Sequence, residues 1–497
     1  MGLLSQITFL PIILGIIILF VKHNNLAKIC SLLGMFYIIY LSGMMYYDFD
    51  PNLHGIQFVE SHSWIPSLNI NYFLAVDGIS MPLIILNNFI TLLVLIASYH
   101  TVKQRQYFYY GLFLIMTGFI NGTFCALDIV LFYIMFEAML IPMYLIIGIW
   151  GGKDRIYAAF KFFLYTLFGS LLFLVALVYL YFHTYSFNIL DYSHSHFTLG
   201  VEILLFIAFF FAFAIKVPMW PLHTWLPIVH PQAPTGGSMV LAAITLKIGG
   251  YGLLRFILPI LPDAARYFAP VMIILSLIAI IYIGFVALVQ KDMKKLIAYS
   301  SVSHMGFVTL ACFLFVNNDN HQLALDSLAI TGALAQMISH GFISAACFMC
   351  IGILYERLHS KLISDYGGIV NSMPVFSVFF MIFAMANSGL PGTSGFVGEF
   401  MVMLTTLKYS FITALLAGIS LITSAGYTLW MYKKVIFGKI TNSAIKSIQD
   451  IKADEFIVLL LLSIAVIALG ICPSLILSKS ITSIYDLIAK SAMTKLL

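Results

Sequence analysis

Residues 201–257 read VEILLFIAFFFAFAIKVPMWPLHTWLPIVHPQAPTGGSMVLAAITLKIGGYGLLRFI. A long apolar run ends in a lysine, Lys216. Prolines at 218, 221, 227, 231 and 234 then interrupt the chain, and a second apolar run carries another lysine, Lys247, in its middle. Each run is long enough to cross a bilayer as a helix. Proline removes a backbone donor and clashes with the preceding turn, so the first helix must break near residue 217. Irregular backbone at membrane depth persists only where protein or a polar cavity surrounds it. A lysine at a helix centre costs about 2.5–3.5 kcal/mol on the insertion scale. This stretch therefore predicts an all-α polytopic membrane protein with costly charges beside a broken helix.

The composition agrees. Of 497 residues, 62% are hydrophobic and 9% are charged, against about 25% charged in a soluble domain. Hydropathy marks about fourteen transmembrane helices, at roughly 5–21, 28–47, 80–99, 107–125, 127–149, 160–182, 201–230, 233–257, 269–289, 295–316, 327–355, 374–405, 410–437 and 455–474. No extended β-alternation repeats, which excludes a barrel. The longest polar connections fall near 48–79, 183–200 and 438–454. The first apolar segment lacks a basic leader and a small-residue cleavage site, and reads as a retained helix rather than a signal peptide.

Charge places the segments relative to the membrane. With fourteen spans, seventeen of the 25 lysines and arginines lie in alternate loops, among them Lys103, Arg155, Lys291 and Lys361. Five lie on the opposite side and three inside spans. The positive-inside rule puts the basic loops in the cytoplasm or matrix and both termini outside, on the periplasmic or intermembrane side. The basic residues form no groove or stripe, so nothing points to nucleic acid.

Ionisable residues inside the spans carry the functional reading. Glu137 lies in LFYIMFEAMLIPMYLII, Glu399 follows a second break in SGLPGTSGFVGEFMVML, and Lys216 and Lys247 lie in the opening stretch. Four such charges cost roughly 10–14 kcal/mol before any pairing. One Glu–Lys pair would serve as a polar clamp between helices; four charges on four helices fit the carrying or gating of protons or small cations better. His304 and His340 sit in adjacent spans, and an imidazole that titrates near neutrality suits a relay. Either alone reads equally as a hydrogen-bonded core residue. His223 and His230 flank the first break. Cys347 and Cys350 have C-x-x-C spacing but no second pair of ligands, which leaves packing and gives no metal or cofactor site in this chain.

The two interruptions, in expected helices 7 and 12, place Lys216 and Glu399 183 residues apart. Broken segments at corresponding positions of two halves point to a transport site. The spacing fits two inverted five-helix repeats, helices 4–8 over 107–260 and helices 9–13 over 261–440. Helices 1–3 (1–106) precede them, and helix 14 with a tail (441–497) follows.

The run from FAIKVPMWPLHTWLPIVHPQAPTGG to LLRF, with FEAMLIPMYLIIGIWG, KKLIAYSSVSHMGF and LPGTSGFVGEF, closely resembles the signatures of the antiporter-like subunits of respiratory complex I, NADH–quinone oxidoreductase. The resemblance covers about residues 70–440. It implies a proton-translocating role coupled to NADH oxidation and quinone reduction in other subunits. Glu137 and Lys216 would form a gating pair, Lys247 the central carrier, His304 and His340 the bridge, and Glu399 the terminal site. FMN, iron–sulfur clusters and quinone would belong to partner subunits. Sister antiporter-like subunits, which typically carry lysine where this chain has Glu399, would be among its partners in an energy-transducing inner membrane. A sodium/proton antiporter subunit of the same fold is the nearest rival. A haem or quinone protein is a second, because His304 and His340 would supply one axial pair.

Overall fold

The computed structural model describes residues 1–316, 323–440 and 442–496. The expected final segment begins at residue 441, which lies outside them. Among the described residues, thirteen helices are long and apolar enough to cross a membrane. The expected span at 374–405 is two shorter helices, Pro374–Asn387 and Ser394–Tyr409.

The helices sort by how polar they are. Thr235–Ile260, Met293–Val316 and Leu323–Leu358, which hold Lys247, His304 and His340, have 94%, 94% and 100% of their most apolar stretches buried. Asn24–Asp48 and Ala453–Ile471 have 33% and turn long rows of Leu, Ile, Tyr and Phe outward. The helices of Lys247, His304 and His340 are thus wrapped by helices with apolar outer faces, whereas those of Glu137 and Lys216 are about half buried, at 56% and 50%. Leu323–Leu358 has 36 residues, about 54 Å at 1.5 Å per residue, longer than a hydrocarbon core of about 30 Å.

Both breaks lie where prolines and glycines put them. Leu199–Lys216 stops, nine residues pass without helix, and Leu226–Gln232 resumes before a further stop at Ala233. The next helix is not uniform: wide π-turns at Leu241–Thr245 and Leu253–Ile257 flank the α-helical Leu246–Gly252 around Lys247. In the second break Gly389 and Gly392 take φ of +74° and +88°, a region glycine occupies at no steric cost. A third interruption has no counterpart among the expected breaks. The helix expected at 127–149 divides into Ile129–Ala138 and Leu140–Trp150 at Met139. Pro142 has no N–H to offer the Ala138 carbonyl, and the turn after Glu137 opens there.

The 48–79 connection, expected as a polar loop, holds an antiparallel hairpin of Gln57–Ile65 and Ile70–Val76. Glu60 on it accepts the Leu4 N–H at 2.8 Å and so caps the first helix, where a carboxylate is favoured. An amphipathic helix, Ile481–Ala492, lies on the same face. Arg266 holds its end through the Ser491 and Ala492 carbonyls at 3.0 and 2.6 Å, and Lys479 ties its approach to the Phe49 carbonyl at 2.7 Å.

Candidate functional site: a buried line of ionisable side chains

Lys216, Lys247, His304, His340 and Glu399 are buried, and Glu137 is half-buried with its Oε1 enclosed. Lys247 is fully buried. Its Nζ donates to the Ala242 carbonyl, in the wide turn one step back on its own helix, at 2.7 Å, and lies 2.7 Å from His340 Nδ1. The His340 and His304 rings are 5.9 Å apart between centroids. His304 Nδ1 is 2.6 Å from Glu399 Oε1. Four helices thus contribute to one polar line, Lys247–His340–His304–Glu399. The wide π-turn explains the reach of Lys247: local underwinding of this kind frees carbonyls that a regular helix keeps within its own ladder.

Glu137 and Lys216 lie apart from that line. Lys216 Nζ sits 5.0 Å from the Phe136 ring centre and 5.7 Å from that of Phe162 and has no hydrogen-bond partner; Glu137 Oε1 has none either. Ser170 and Lys216 are the polar neighbours of the Glu137 carboxyl. Lys216 meets the helix of Lys247 through a close approach at Gly249. A Cβ there would stand 2.6 Å from the Val217 nitrogen and 2.7 Å from the Phe213 carbonyl oxygen. Glycine is what lets the two backbones touch.

Several residues at the site escaped the sequence reading. Gln336, one turn before His340, donates to Glu399 Oε1 at 3.1 Å, and the Tyr427 hydroxyl is 3.4 Å from His304 Nε2. Gln336 falls on the His340 face at i−4, a spacing that singles it out once His340 is chosen. Tyr427 has no such signal, because only tertiary packing brings it near. Lys294 falls just before the expected span at 295–316, yet its helix starts at Met293. Its buried Nζ donates to the Ala233 carbonyl at 2.8 Å, satisfying backbone that the first break leaves free. His230 is fully buried against Phe348, ring centres 4.4 Å apart. Cys347 and Cys350 are buried free thiols in mid-helix. Among the described residues no group of three or more His, Cys, Asp or Glu side chains gathers as a metal site would require.

The chain was compared with known proteins. Residues 126–424 match the family described as NADH:quinone oxidoreductase/Mrp antiporter, and residues 6–126 match the amino terminus of NADH-ubiquinone oxidoreductase chain 4. NADH-quinone oxidoreductase subunit M of Rhodobacter capsulatus is 46% identical over 494 residues, with 96% of this chain and 94% of that protein covered. Chain 4 of NADH-ubiquinone oxidoreductase from Marchantia polymorpha is 39% identical, covering 98% and 97%. A chain of respiratory complex I from Thermus thermophilus superposes with a TM-score of 0.87 at 28% identity, covering 98% and 99%. A chain of the Mrp complex from Dietzia sp. shares the fold, with a TM-score of 0.85 at 20% identity and 98% of both chains covered. With matches that run end to end at these identities, the chain belongs to the subunit M family of NADH–quinone oxidoreductase (chain 4 in mitochondria), and is a multi-pass, antiporter-like membrane subunit of complex I.

Proposed function

We propose that this subunit carries protons through the membrane part of complex I along Glu137, Lys216, Lys247, His340, His304 and Glu399. The observation that carries the proposal is the run of contacts from Lys247 to Glu399, with His340 and His304 between them. An ammonium 2.7 Å from an imidazole nitrogen is at proton-transfer distance. A proton leaving Lys247 gives a neutral amine and an imidazolium at His340. The 5.9 Å between the two rings is a gap that one water molecule bridges, and His304 delivers to Glu399 directly. Glu137 and Lys216 act upstream: when their side chains meet, the pair holds its proton and charge, and when they part, Lys216 is free to discharge toward Lys247.

The same reading assigns the rest. Residues 107–260 and 261–440 act as two inverted half-channels, with 1–106 and 441–497 as flanking elements. The basic loops face the cytoplasm or matrix, and both termini face outside. Redox groups and quinone reside in partner subunits, with sister antiporter-like subunits alongside in an inner membrane. The test is the proton-to-electron ratio of purified complex in vesicles. Glu399→Gln should lower that ratio while the complex stays assembled. An unchanged ratio would remove Glu399 from the path. Sodium transport in place of proton transport would favour the antiporter alternative.

A further inference from the structure

On the face opposite the basic loops, the helix of Lys247 carries two more polar side chains. Tyr251 and Arg255 follow at i+4 and i+8, so the three lie along one helix face. The Tyr251 hydroxyl accepts from Arg255 Nε at 3.2 Å and donates to the Phe124 carbonyl at 3.3 Å. The Arg255 guanidinium forms an ion pair with Asp77. The second Asp77 oxygen accepts the N–H groups of Ile79 and Ser80 at 3.0 and 2.9 Å, which fixes it at the start of the Ser80–Thr101 helix. Both partners are largely buried, with side chains 14% and 7% exposed.

Outside this pair lies a cavity of about 50 Å³, lined by Asp77, Arg255, Ser483, Asp486 and Lys490 and roofed by the Ile481–Ala492 helix. A water needs about 10–15 Å³ on this measure, so the cavity holds a few. His54, exposed at its rim, meets Asp486 at 2.7 Å. A buried ion pair contributes little stability over apolar packing of the same shape. Here it stands between that outer cavity and Tyr251, which lies one turn beyond Lys247 on the same helix.

We propose that the Arg255–Asp77 pair is the outward seal of Lys247, closing a proton exit that runs through Tyr251; this rests on Lys247 being a proton carrier. Closed, the guanidinium repels an approaching hydronium, and it cannot itself pass a proton because it does not deprotonate in proteins. When the pair parts, Tyr251 oxygen takes a proton that the Lys247 ammonium passes through intervening water, and releases its own hydroxyl proton to water in the cavity. Lys247 is left as a neutral amine, Tyr251 is unchanged, and the cavity gains one hydronium.

The test uses the whole purified complex in vesicles, without NADH, and reads the passive collapse of an imposed pH gradient. Arg255→Met should speed the collapse about tenfold, equivalent to ~1.4 kcal/mol off the barrier. Asp77→Asn, which keeps the shape and the turn, should do likewise. Adding Tyr251→Phe to Arg255→Met should restore tightness. A leak that survives Tyr251→Phe reports damaged packing and overturns the seal. So does an assembled Arg255→Met complex as tight as the parent, and so does failure of both single variants to assemble, which would make the pair a folding clasp. Adding Lys247→Met instead separates the two proposals. A leak that needs Tyr251 but ignores Lys247 overturns Lys247 as the group behind the seal and the relay with it, whereas a leak that needs both supports both.

Discussion

Glu137, half-buried, and Lys216, fully buried, each leave an enclosed polar atom unpartnered, Oε1 and Nζ. Buried polar atoms almost always find partners, and the exceptions call for an explanation. The rings of Phe136 and Phe162 near Lys216 replace part of its hydration, each contact worth about 0.5–2 kcal/mol. They hold the cation without fixing it in one geometry, which suits a group that must let go. Glu137→Gln keeps the shape and removes the charge. We expect it to lower coupled NADH–quinone activity about tenfold or more, ~1.4 kcal/mol in the coupled step, and to abolish pumping, with assembly intact. Glu137→Asp should retain much of both, and a fully active Gln variant would reduce Glu137 to packing. Lys247 differs, because both its contacts are made. Lys247→Met fits the same volume and leaves His340 Nδ1 without its partner. Pumping should fall further than the midpoint of thermal unfolding of the assembled complex; equal losses would argue for a structural lysine.

At the scale of the helix, geometry rests on a few residues that cannot be exchanged. Gly249 brings the Lys247 helix onto the backbone of Val217. A methyl group there has no flexible side chain to push aside, so Gly249→Ala should cost about 1–3 kcal/mol or more and reduce the amount of assembled complex. Gly418 is the control: its Cβ would meet only the tip of Met403 at 3.4 Å, and Gly418→Ala should assemble normally. Similar yields for the two would show that the close approach is dispensable. Elements of this kind differ in how far the sequence reveals them. The breaks after Lys216 and before Glu399 are legible because proline and glycine act locally, through donors and φ angles. The opening at Met139 has the same cause, Pro142, but its apolar run continues unbroken and masks it. The hairpin at 57–76 is short, and most of its first strand is exposed, so no alternation stands out. Ile481–Ala492 has twelve residues, too few for a hydropathy window tuned to spans. Lys294, Gln336 and Tyr427 needed the packing itself.

Across the whole molecule, charges are arranged in two layers: a polar line at mid-depth, and an outer face closed by the hairpin, the C-terminal helix and the Arg255–Asp77 pair. Burial alone would raise the Asp77 carboxyl. Arg255 and the N–H groups of Ser80 and Ile79 outweigh it and hold the group below the ordinary carboxylate range. A carboxyl depressed in the folded state stabilises it above its unfolded value, near 3.9, and that contribution is lost as pH falls through the folded value. The outer layer should therefore loosen only in strong acid, with hydrogen exchange at residues 77–80 rising well below pH 4; loosening near neutrality would contradict the pairing. The proposed orientation has a direct test. A reporter in the loop at 290–295 should label from the cytoplasm or matrix, and one at the N-terminus from the other side. Finding both on one face would undo the fourteen-span count and the assignment of an outer seal.

The ends of the proposed path carry the argument about coupling. Lys216 and Glu399 have opposite signs, and each sits beside a break. Moving a proton from Lys216 to Glu399 leaves the net charge of the subunit unchanged, but turns a separated cation and anion into two neutral groups. The change is in dipole rather than charge. Inside a low-dielectric protein, unit charges still interact by about 4 kcal/mol at 4 Å with an effective dielectric constant of 20, so on the proposed path a subunit packed near Glu399 would sense the loss of its anion. His304 and Gln336 are poised on that carboxylate and would reorient with it. Glu399→Gln fixes the neutral end state, and should impair coupling across the whole complex rather than in this subunit alone. Glu399→Lys places a cation where His304 now meets an anion, and tests the arrangement expected of the sister subunits. If the lysine variant pumps with the parental proton-to-electron ratio, the sign of the terminal charge carries no information and the dipole account fails. If it assembles but is uncoupled, while the Gln variant keeps partial activity, the anion at Glu399 is what its neighbours read.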